Sequence, residues 1–213
     1  MKLYTFFRSG TSHRVRIALN LKGVPYDAVA VDLRSEQHLL PGFKAVNPQG
    51  LVPALVLDDG SVLTQSPAIL EWLEERYPQP PLLPAGLQDR ARVRALAAIV
   101  AADIHPVNNR RILQYLRKPI GLDEAAVQAW CASWIEAGFD AIDALLAADR
   151  DRGDFCFGAA PTLADVTLVP QIESARRFQV DLRRWPRIEA IDKACSQIDA
   201  FRRAAPAVQP DAA

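Results

Sequence analysis

The chain has 213 residues with 25 basic and 25 acidic side chains, so its formal net charge is zero and no global field attracts nucleic acid or an anionic membrane. Half of the residues are hydrophobic and 23% are charged, which is typical of a globular protein with one large or two small domains. No apolar run is long enough to cross a bilayer, and the start MKLYTFF does not have the apolar segment of a signal peptide. We therefore expect a cytoplasmic protein whose partners include neither nucleic acid nor a membrane.

The cysteines and histidines show no motif. The cysteines are odd in number, widely spaced and without a CxxC pair, which predicts free, buried thiols in a reducing compartment. The histidines lack metal-ligand spacing, so no metal site is expected. These residues are Cys131, Cys156, Cys195, His13, His38 and His105.

The first third of the chain alternates strand and helix signals. KLYTFF reads as a short strand, and a helix predicted from Thr11 to Lys22 ends before Gly23, a residue suited to the position after a helix. YDAVAVDL alternates in the manner of a second strand. After a polar loop, ALVLD and SVLT flank an Asp59-Gly60 turn and predict a hairpin.

Another helix is predicted to begin at Ser66-Pro67, because serine caps free amides and proline is tolerated in a first turn. Its predicted faces are a buried one of Ile69, Leu70, Leu73 and Tyr77 and a solvent-facing one of Glu71, Glu74, Glu75 and Arg76. The order of elements is thus β-α-β, a loop, and β-β-α.

The clearest domain boundary is PQPPLLPAG at residues 78–86, because its four prolines cannot continue a helix. Beyond it almost every segment has helical character. Helices are predicted over 88–102, 108–116 and 123–148, after Thr162, and over 186–203. The sequence therefore predicts an α/β domain over 1–80, a Pro-rich linker over 81–86 and an all-helical domain over 87–213.

Two segments of the first domain have the chemistry to hold anions. In FFRSGTSHRVRIAL, Ser9, Gly10 and Thr11 precede a helix whose free amides and dipole favour a thiolate or carboxylate. In TQSPAI, Gln65 and Ser66 stand at a second helix start that suits a carboxylate. In both places a plain helix cap, with solvated arginines in the first, is the alternative.

A third segment, GLVPAL, suits an extended peptide. Proline is awkward inside a sheet, so Pro53 should mark the first residue of a strand. A cis bond there would turn the backbone N–H and C=O of Val52 outward, where a peptide can pair with them. A simple strand start is the alternative.

Together the three segments offer a sulfur-anion site, an edge for a peptide backbone and an anchored carboxylate, which is the set that glutathione needs. The chain resembles the zeta class of glutathione transferases, the family of maleylacetoacetate and maleylpyruvate isomerases. FRSGTSHRVRIAL, NPQGLVPAL, LTQSPAILEWLEE, PTLADVTLVPQ, RRFQVDL and WPRI carry the resemblance across essentially the whole chain. It implies a thioredoxin-like N-terminal domain of βαβαββα type, an all-helical C-terminal domain, glutathione as cofactor, and a homodimer.

The resemblance also implies roles for single residues. Ser9, Gly10 and Thr11 would line the thiolate pocket, with Arg14 beside it. Further contacts to glutathione would come from His38 and Gln49 at its glycine end, Val52 at its cysteinyl backbone, Gln65 and Ser66 at its γ-glutamyl carboxylate, and His105, Asn108, Asn109 and Arg110 at the dimer cleft. Thr162 and Asp165 match the family's capping box and are assigned to folding.

One position departs from the family. Relatives usually have cysteine where this chain has Thr11 and serine where it has Gly10, so the reacting sulfur must be that of glutathione. The implied reaction is reversible addition of the thiolate to maleylpyruvate, rotation about the resulting single bond, and elimination to fumarylpyruvate during the breakdown of aromatic compounds. Ser9 and Thr11 are the candidate hydroxyl donors to that thiolate.

Arginines are the candidate clamp for the dicarboxylate substrate, because the planar guanidinium binds carboxylates with two hydrogen bonds. Arg8 precedes the thiolate pocket, and Arg176 and Arg177 belong to the helical domain. We predict that Arg8 and Arg176 hold the two acidic ends. Ordinary surface ion pairs are the alternative for Arg177 and Arg8.

Other functions stay open. A maleylacetoacetate isomerase of tyrosine breakdown would share the site, whereas a conjugating transferase or peroxidase would not need paired arginines. A non-catalytic interaction module would have lost the ligand residues, which are present. A thioredoxin-like disulfide oxidoreductase would need a cysteine before Cys131, and there is none.

Overall fold

The computed structural model describes residues 1–149 and 153–212. The chain falls into two compact units, which we call the first unit (Met1–Leu82 with Ser196–Ala213) and the second unit (Leu83–Cys195). The domain boundaries predicted from the sequence stay a prediction, and the units differ from them at the C-terminal end. In the part of the chain that is described, no helix is long and apolar enough to cross a membrane.

A four-stranded mixed sheet forms the centre of the first unit. Its strands are β1 (Lys2–Thr5), β2 (Asp27–Ala30), β3 (Ala54–Val56) and β4 (Val62–Thr64), and the interleaved helices are α1 (Gly10–Leu21), α2 (Pro41–Lys44) and α3 (Ser66–Arg76). The strand order is β2-β1-β3-β4, with β1 parallel to β2 and antiparallel to β3, and β3 antiparallel to β4. The predicted βαβαββα order and the hairpin around Gly60 are confirmed.

The helix α1 lies almost entirely out of solvent. Every residue from Ser12 to Leu19 is buried, because α1 packs against α3 and also against α9 (Asp199–Ala204). The alternative in which Arg14 and Arg16 are solvated is therefore wrong. Gly23 adopts a φ of 65° just beyond the helix, as predicted from its position.

Within the first unit, the C-terminal segment that contains α9 is held against α1 by hydrogen bonds as well as by packing. The Nε of Arg16 donates to the carbonyl of Ala204 at 3.0 Å, and the Nδ2 of Asn20 donates to that of Ala200 at 3.0 Å. The predicted single helix over 186–203 is wrong, because extended Ile198 separates α8 (Pro186–Ser196) from α9. This break allows α9 to return to α1.

A buried ion pair joins α1, α3 and the Pro-rich segment. The Nζ of Lys22 lies 2.5 Å from the Oε2 of Glu74 and 2.7 Å from the carbonyl of Pro80. The same Glu74 oxygen accepts from the amide of Leu82 at 2.9 Å. The prediction that Glu74 faces solvent is therefore wrong, because the Pro-rich segment folds over it.

The second unit is helical, as predicted. Its other helices are α4 (Leu87–Ala98), α5 (Arg110–Arg117), α6 (Glu124–Ala148) and α7 (Leu163–Arg177). The predicted helix over 88–102 ends as an α-helix at Ala98 and continues as a π-helix, Ile99–Ile104. A Cβ on Gly138 of α6 would lie 2.2 Å from the Cδ1 of Ile104, so a larger residue there would require the Ile104 side chain to move. π-Helical turns often mark functional sites.

The start of α7 is held by the predicted capping box. The amide and hydroxyl of Thr162 donate to the Oδ2 of Asp165 at 2.7 and 2.8 Å, and the amide of Cys156 donates to its Oδ1 at 2.7 Å. Burial raises the pKa of Asp165. The capping prediction is confirmed, and so is the prediction that the three cysteines are free and buried.

Candidate functional site

A chain of hydrogen bonds links the start of α1 to the loop before β3. Ser9 is the N-cap of α1, and its Oγ accepts from the amide of Ser12 at 3.2 Å. The same Oγ lies 2.9 Å from the Oγ1 of Thr11, which in turn donates to the carbonyl of Val52 at 3.0 Å. A threonine hydroxyl has one proton, so the bond between the two hydroxyls is donated by Ser9.

The loop before β3 contains the cis bond that the sequence suggested, between Val52 and Pro53. The carbonyl of Val52 does not turn outward as predicted, because it accepts the hydroxyl proton of Thr11. Within the described residues, the amide of Val52 makes no hydrogen bond. One backbone donor just before β3 is therefore left for a peptide ligand.

At the start of α3, Gln65 adopts a backbone conformation that a non-glycine residue rarely takes, with φ at 68° and ψ at 112°. Its Nε2 donates to the Oε1 of Gln49 at 2.7 Å. The prediction that Ser66 caps the helix is wrong, because Gln65 is the N-cap residue and Ser66 the first helical one. Strain of this kind persists where the surrounding structure enforces it, and functional sites are common among such places.

The side chain of Ser66 is directed at α1. Ser66 is buried, and its Oγ accepts from the Nη1 of Arg14 at 3.3 Å. Because an arginine can only donate, the hydroxyl proton of Ser66 is not used in this contact. Ser66 can therefore present both its amide and its hydroxyl to an anion at the helix start.

Three positive or potentially positive side chains within four residues of α1 are desolvated, namely His13, Arg14 and Arg16. Burial lowers the pKa of Arg14 to about 10, and burial likewise lowers the pKa of Arg16 to about 10. Burial, with smaller contributions from Arg16 and Arg14, lowers the pKa of His13 to about 3. Both arginines therefore remain charged at neutral pH, while His13 is neutral.

The segment that contains His38 adjoins the segment that contains Gln49. His38 is buried in a 3-10 helix, Gln37–Leu39, and a Cβ on Gly50 would lie 2.9 Å from its carbonyl oxygen. Gly50 has a φ of 63°, so glycine is favoured there on two grounds. The role of His38 at the glycine end of a ligand stays a prediction.

The predicted cleft residues of the second unit follow the π-helix. Asn109 is the N-cap of α5, accepting from the amides of Arg111 and Ile112, and its Nδ2 donates to the carbonyl of Pro106. Asn108 donates to the carbonyl of Cys131 at 3.3 Å, while its own buried Oδ1 has no partner in the described part of the chain.

His105 adjoins the π-helix, and Arg110 is the first residue of α5. Of these four residues, Asn109 thus has a structural use that the sequence did not predict. The ligand contacts proposed for all four stay predictions.

The arginines predicted to hold the substrate belong to different units. Arg8 is exposed at the junction of β1 and α1. In the second unit, Arg176 forms ion pairs with Glu173 and Asp192, and Arg177 donates to the Oγ of Ser174 at 3.0 Å. Arg176 is therefore in surface ion pairs, the alternative considered for Arg177 and Arg8, and substrate binding by these arginines stays a prediction.

Two residues that support this region, Arg16 and Asp211, are not among the predicted site residues. Arg16 donates to the carbonyls of Phe6 and Phe7 at 3.4 and 3.1 Å, and Asp211 accepts from the amide of Phe7 at 2.9 Å. The sequence signal for Arg16 is the pattern RVRIAL, in which arginines interrupt an apolar stretch, and the structure buries every residue of this pattern. Nothing in the sequence near Asp211 indicated its contact with the start of the chain.

Comparison with known proteins gives the family. The family model described as "Glutathione S-transferase, N-terminal domain" matches residues 8–76, and the "C-terminal domain" model matches residues 124–208. A "Maleylpyruvate isomerase" of Ralstonia sp is 69% identical, over all of both chains. A "Maleylacetoacetate isomerase" of Pseudomonas aeruginosa is 50% identical, over 99% of this chain and 98% of the relative.

Solved structures agree. One described as the holo structure of a maleylpyruvate isomerase, a bacterial zeta-class glutathione S-transferase, superposes with a TM-score of 0.98 at 68% identity over all of both chains. A maleylacetoacetate isomerase of Methylobacterium extorquens AM1 with bound malonate and GSH has a TM-score of 0.96 at 38% identity, again over all of both chains. The chain therefore belongs to the glutathione S-transferase family, in its zeta class.

Proposed function

We propose that the chain is a glutathione-dependent cis-trans isomerase that converts maleylpyruvate to fumarylpyruvate. The observation that carries the proposal is the run of hydrogen bonds from Ser9 through Thr11 to Val52, which joins two segments predicted to hold glutathione. The relative named maleylpyruvate isomerase, at 69% identity over the full length, supports the choice of substrate. The maleylacetoacetate isomerases compared above are 50% and 38% identical.

The residues at this site fit glutathione. The first-turn amides of α1, at Gly10 and Thr11, have no intrahelical acceptor and suit a sulfur anion. The amide of Val52 suits the backbone of the cysteinyl residue. Ser66, with buried Arg14 behind it, suits a carboxylate. Glutathione, when bound, supplies a thiolate that adds reversibly to the cis double bond and so permits rotation about it.

We propose that Ser9, more than Thr11, donates a hydroxyl proton to that thiolate. Thr11 uses its proton on the carbonyl of Val52, and this carbonyl can only accept. Ser9 can redirect its proton from Thr11 to a sulfur anion while its Oγ still accepts from the amide of Ser12. Thr11 then fixes the position of the Val52 loop relative to α1.

Arg8 and Arg176 are proposed to bind the two carboxylates of the substrate, with Arg177 as a further candidate. The support is the charge of each and the need to stabilise negative charge that develops on addition. Arg176 would have to exchange one of its two carboxylate partners for the substrate. Replacing Arg8 or Arg176 by alanine should lower kcat/KM for the diacid, whereas Arg183→Ala, which removes an exposed arginine paired with Asp181, should not.

Three broader properties are proposals that rest on the family resemblance: a homodimer, a place in the cytoplasm, and a role in the breakdown of aromatic compounds. Three buried free thiols are consistent with a reducing compartment. The oligomeric state is measured by light scattering during size-exclusion chromatography.

The experiment that tests the activity is a spectrophotometric assay with maleylpyruvate and with maleylacetoacetate, each with and without glutathione. We expect turnover of maleylpyruvate that requires glutathione. Undiminished turnover without glutathione would refute the cofactor assignment. Turnover of maleylacetoacetate alone would refute the substrate assignment and leave the chemistry in place.

A further inference from the structure

Arg14 is a buried cation whose charge has no counterpart in the described part of the chain. Its side chain is on α1 with only 2% of the residue exposed, and its single hydrogen bond is the 3.3 Å contact with the Oγ of Ser66. Its Nε is buried without an acceptor, and no carboxylate among the described residues forms an ion pair with it. Burying a charge without a partner is strongly unfavourable.

The two other buried cations of this helix region have more polar partners than Arg14 has. Arg16 donates to the carbonyls of Ala204, Phe6 and Phe7 and to the hydroxyl of Thr5. Lys22, at the other end of α1, pairs with Glu74. The shortage of hydrogen-bond acceptors around Arg14 is therefore specific to that position and is not shared by the other cations.

The one acceptor that Arg14 has is a predicted ligand residue. Ser66 is the first residue of α3, where the amides of the first turn and the helix dipole favour an anion. Because the Nη1 of Arg14 approaches one lone pair of the Ser66 oxygen, the hydroxyl proton of Ser66 must point elsewhere. Arg14 thus orients Ser66 as a donor and places a positive charge behind it.

We infer that Arg14 is a positioning residue for the α-carboxylate at the γ-glutamyl end of glutathione, acting through Ser66 and supplying the charge that balances this carboxylate. This inference rests on the proposed use of glutathione. It makes the ligand carboxylate the missing counter-ion of Arg14, so the ligand-free protein has a destabilising feature that binding removes.

The test compares two ligands in direct binding measurements. Isothermal titration calorimetry gives Kd for glutathione and for 4-aminobutanoyl-cysteinyl-glycine, which differs only in lacking the γ-glutamyl α-carboxylate. For the wild-type protein, glutathione should bind more tightly. Arg14→Met should weaken glutathione binding about 10- to 100-fold, equivalent to about 1.4–2.8 kcal/mol, and should leave the affinity for the analogue unchanged.

The matched control is Arg16→Met, which removes a second buried arginine from the same helix. Its guanidinium makes four hydrogen bonds, to three backbone carbonyls and a hydroxyl, so this variant should lower the melting temperature and should not change the ratio of the two Kd values. In a Ser66→Ala background, Arg14→Met should cost less glutathione affinity than it does alone, because Arg14 acts through that hydroxyl.

Several outcomes would overturn the role inferred for Arg14 or the proposed function on which it rests. If Arg14→Met weakens both ligands equally, or neither, the inference is wrong. If ligand-free Arg14→Met and Arg14→Gln both fail to fold, it is also wrong, because an uncompensated charge should not be required by the ligand-free protein. If the wild-type protein does not bind glutathione at all, the proposed function fails. If Arg14→Met still binds glutathione more tightly than the analogue by the wild-type ratio, only the inference about Arg14 fails.

Discussion

The hydroxyl of Thr11 donates a 3.0 Å hydrogen bond to the carbonyl oxygen of Val52, which is 41 positions further along the chain. This bond connects the first turn of α1 with the loop that contains the cis Val52-Pro53 peptide. The two segments are separate in sequence, yet both are predicted to touch the cysteinyl part of glutathione. The hydroxyl of Thr11 therefore ties these two segments to each other.

Replacing Thr11 by valine should remove this bond while keeping the shape of the side chain. We expect kcat/KM to fall by about tenfold and the free energy of unfolding to fall by about 1 kcal/mol, since a buried carbonyl loses its donor. Steady-state kinetics and urea unfolding measure the two effects. Thr11→Ser keeps a hydroxyl and should retain both properties.

Two further variants separate the hydroxyls. Thr11→Cys should be tolerated, because a thiol can still donate weakly to Val52. Ser9→Ala should raise the pKa of bound glutathione, measured from thiolate absorbance, more than Thr11→Val does. An equal or larger pKa change in Thr11→Val would assign thiolate stabilisation to Thr11 instead.

The strained backbone at Gln65 predicts opposite effects on stability and binding. Gln65→Gly should raise the free energy of unfolding by about 1 kcal/mol, because glycine tolerates positive φ. It should also weaken glutathione binding, because the side chain that contacts Gln49 is removed. Gln65→Ala loses the same contact but keeps a Cβ, so it should bind as weakly and unfold more easily than the glycine variant. Equal stabilities of the two variants would contradict strain at this position.

Stability should fall on acidification because of His13. In the folded chain its pKa is about 3, against about 6.5 when unfolded, so the unfolded state binds the proton between these values. The contribution is full above pH 6.5 and is lost as the pH falls, by about 1.4 kcal/mol for each pH unit. Urea unfolding at pH 7, 6 and 5 should show a shallower dependence for His13→Leu than for wild type. An identical slope would mean that His13 is protonated in the folded protein.

The contact between Asp211 and Phe7 predicts a role for the C-terminal segment. Asp211 binds the amide of Phe7 and Arg16 binds its carbonyl, so the residue before Arg8 is held on both sides. Asp211→Ala should raise KM for the diacid about 3- to 10-fold, as expected for one lost hydrogen bond, with Kd for glutathione unchanged.

Asp199→Ala is the control, because Asp199 pairs with Arg202 and Arg203 within α9. It should change neither KM for the diacid nor Kd for glutathione. A normal KM for the diacid in Asp211→Ala would show that the loop is set without Asp211.

Local signals in the sequence were enough for the order of elements in the first unit. Periodicity placed α1, α3 and the hairpin within a few residues, and the match to the family's capping box placed the start of α7 at Thr162 and Asp165. These features depend on interactions between residues close in the chain, and such interactions leave a pattern. Resemblance across the whole chain added the family and its cofactor.

Only the tertiary structure decided which polar side chains are buried and what they contact. The periodicity of α3 predicts that Glu74 faces solvent. In the structure the Pro-rich segment covers Glu74, and Lys22 pairs with it. Arg14 and Arg16 are the same residue type and lie two positions apart on α1. Arg14 nevertheless approaches the hydroxyl of Ser66, whereas Arg16 binds backbone carbonyls. Burial of a charge depends on which distant segment packs over it, and a local pattern does not contain that information. For the same reason the sequence named Ser66 as a ligand residue, while its buried arginine partner became clear only from the folded chain.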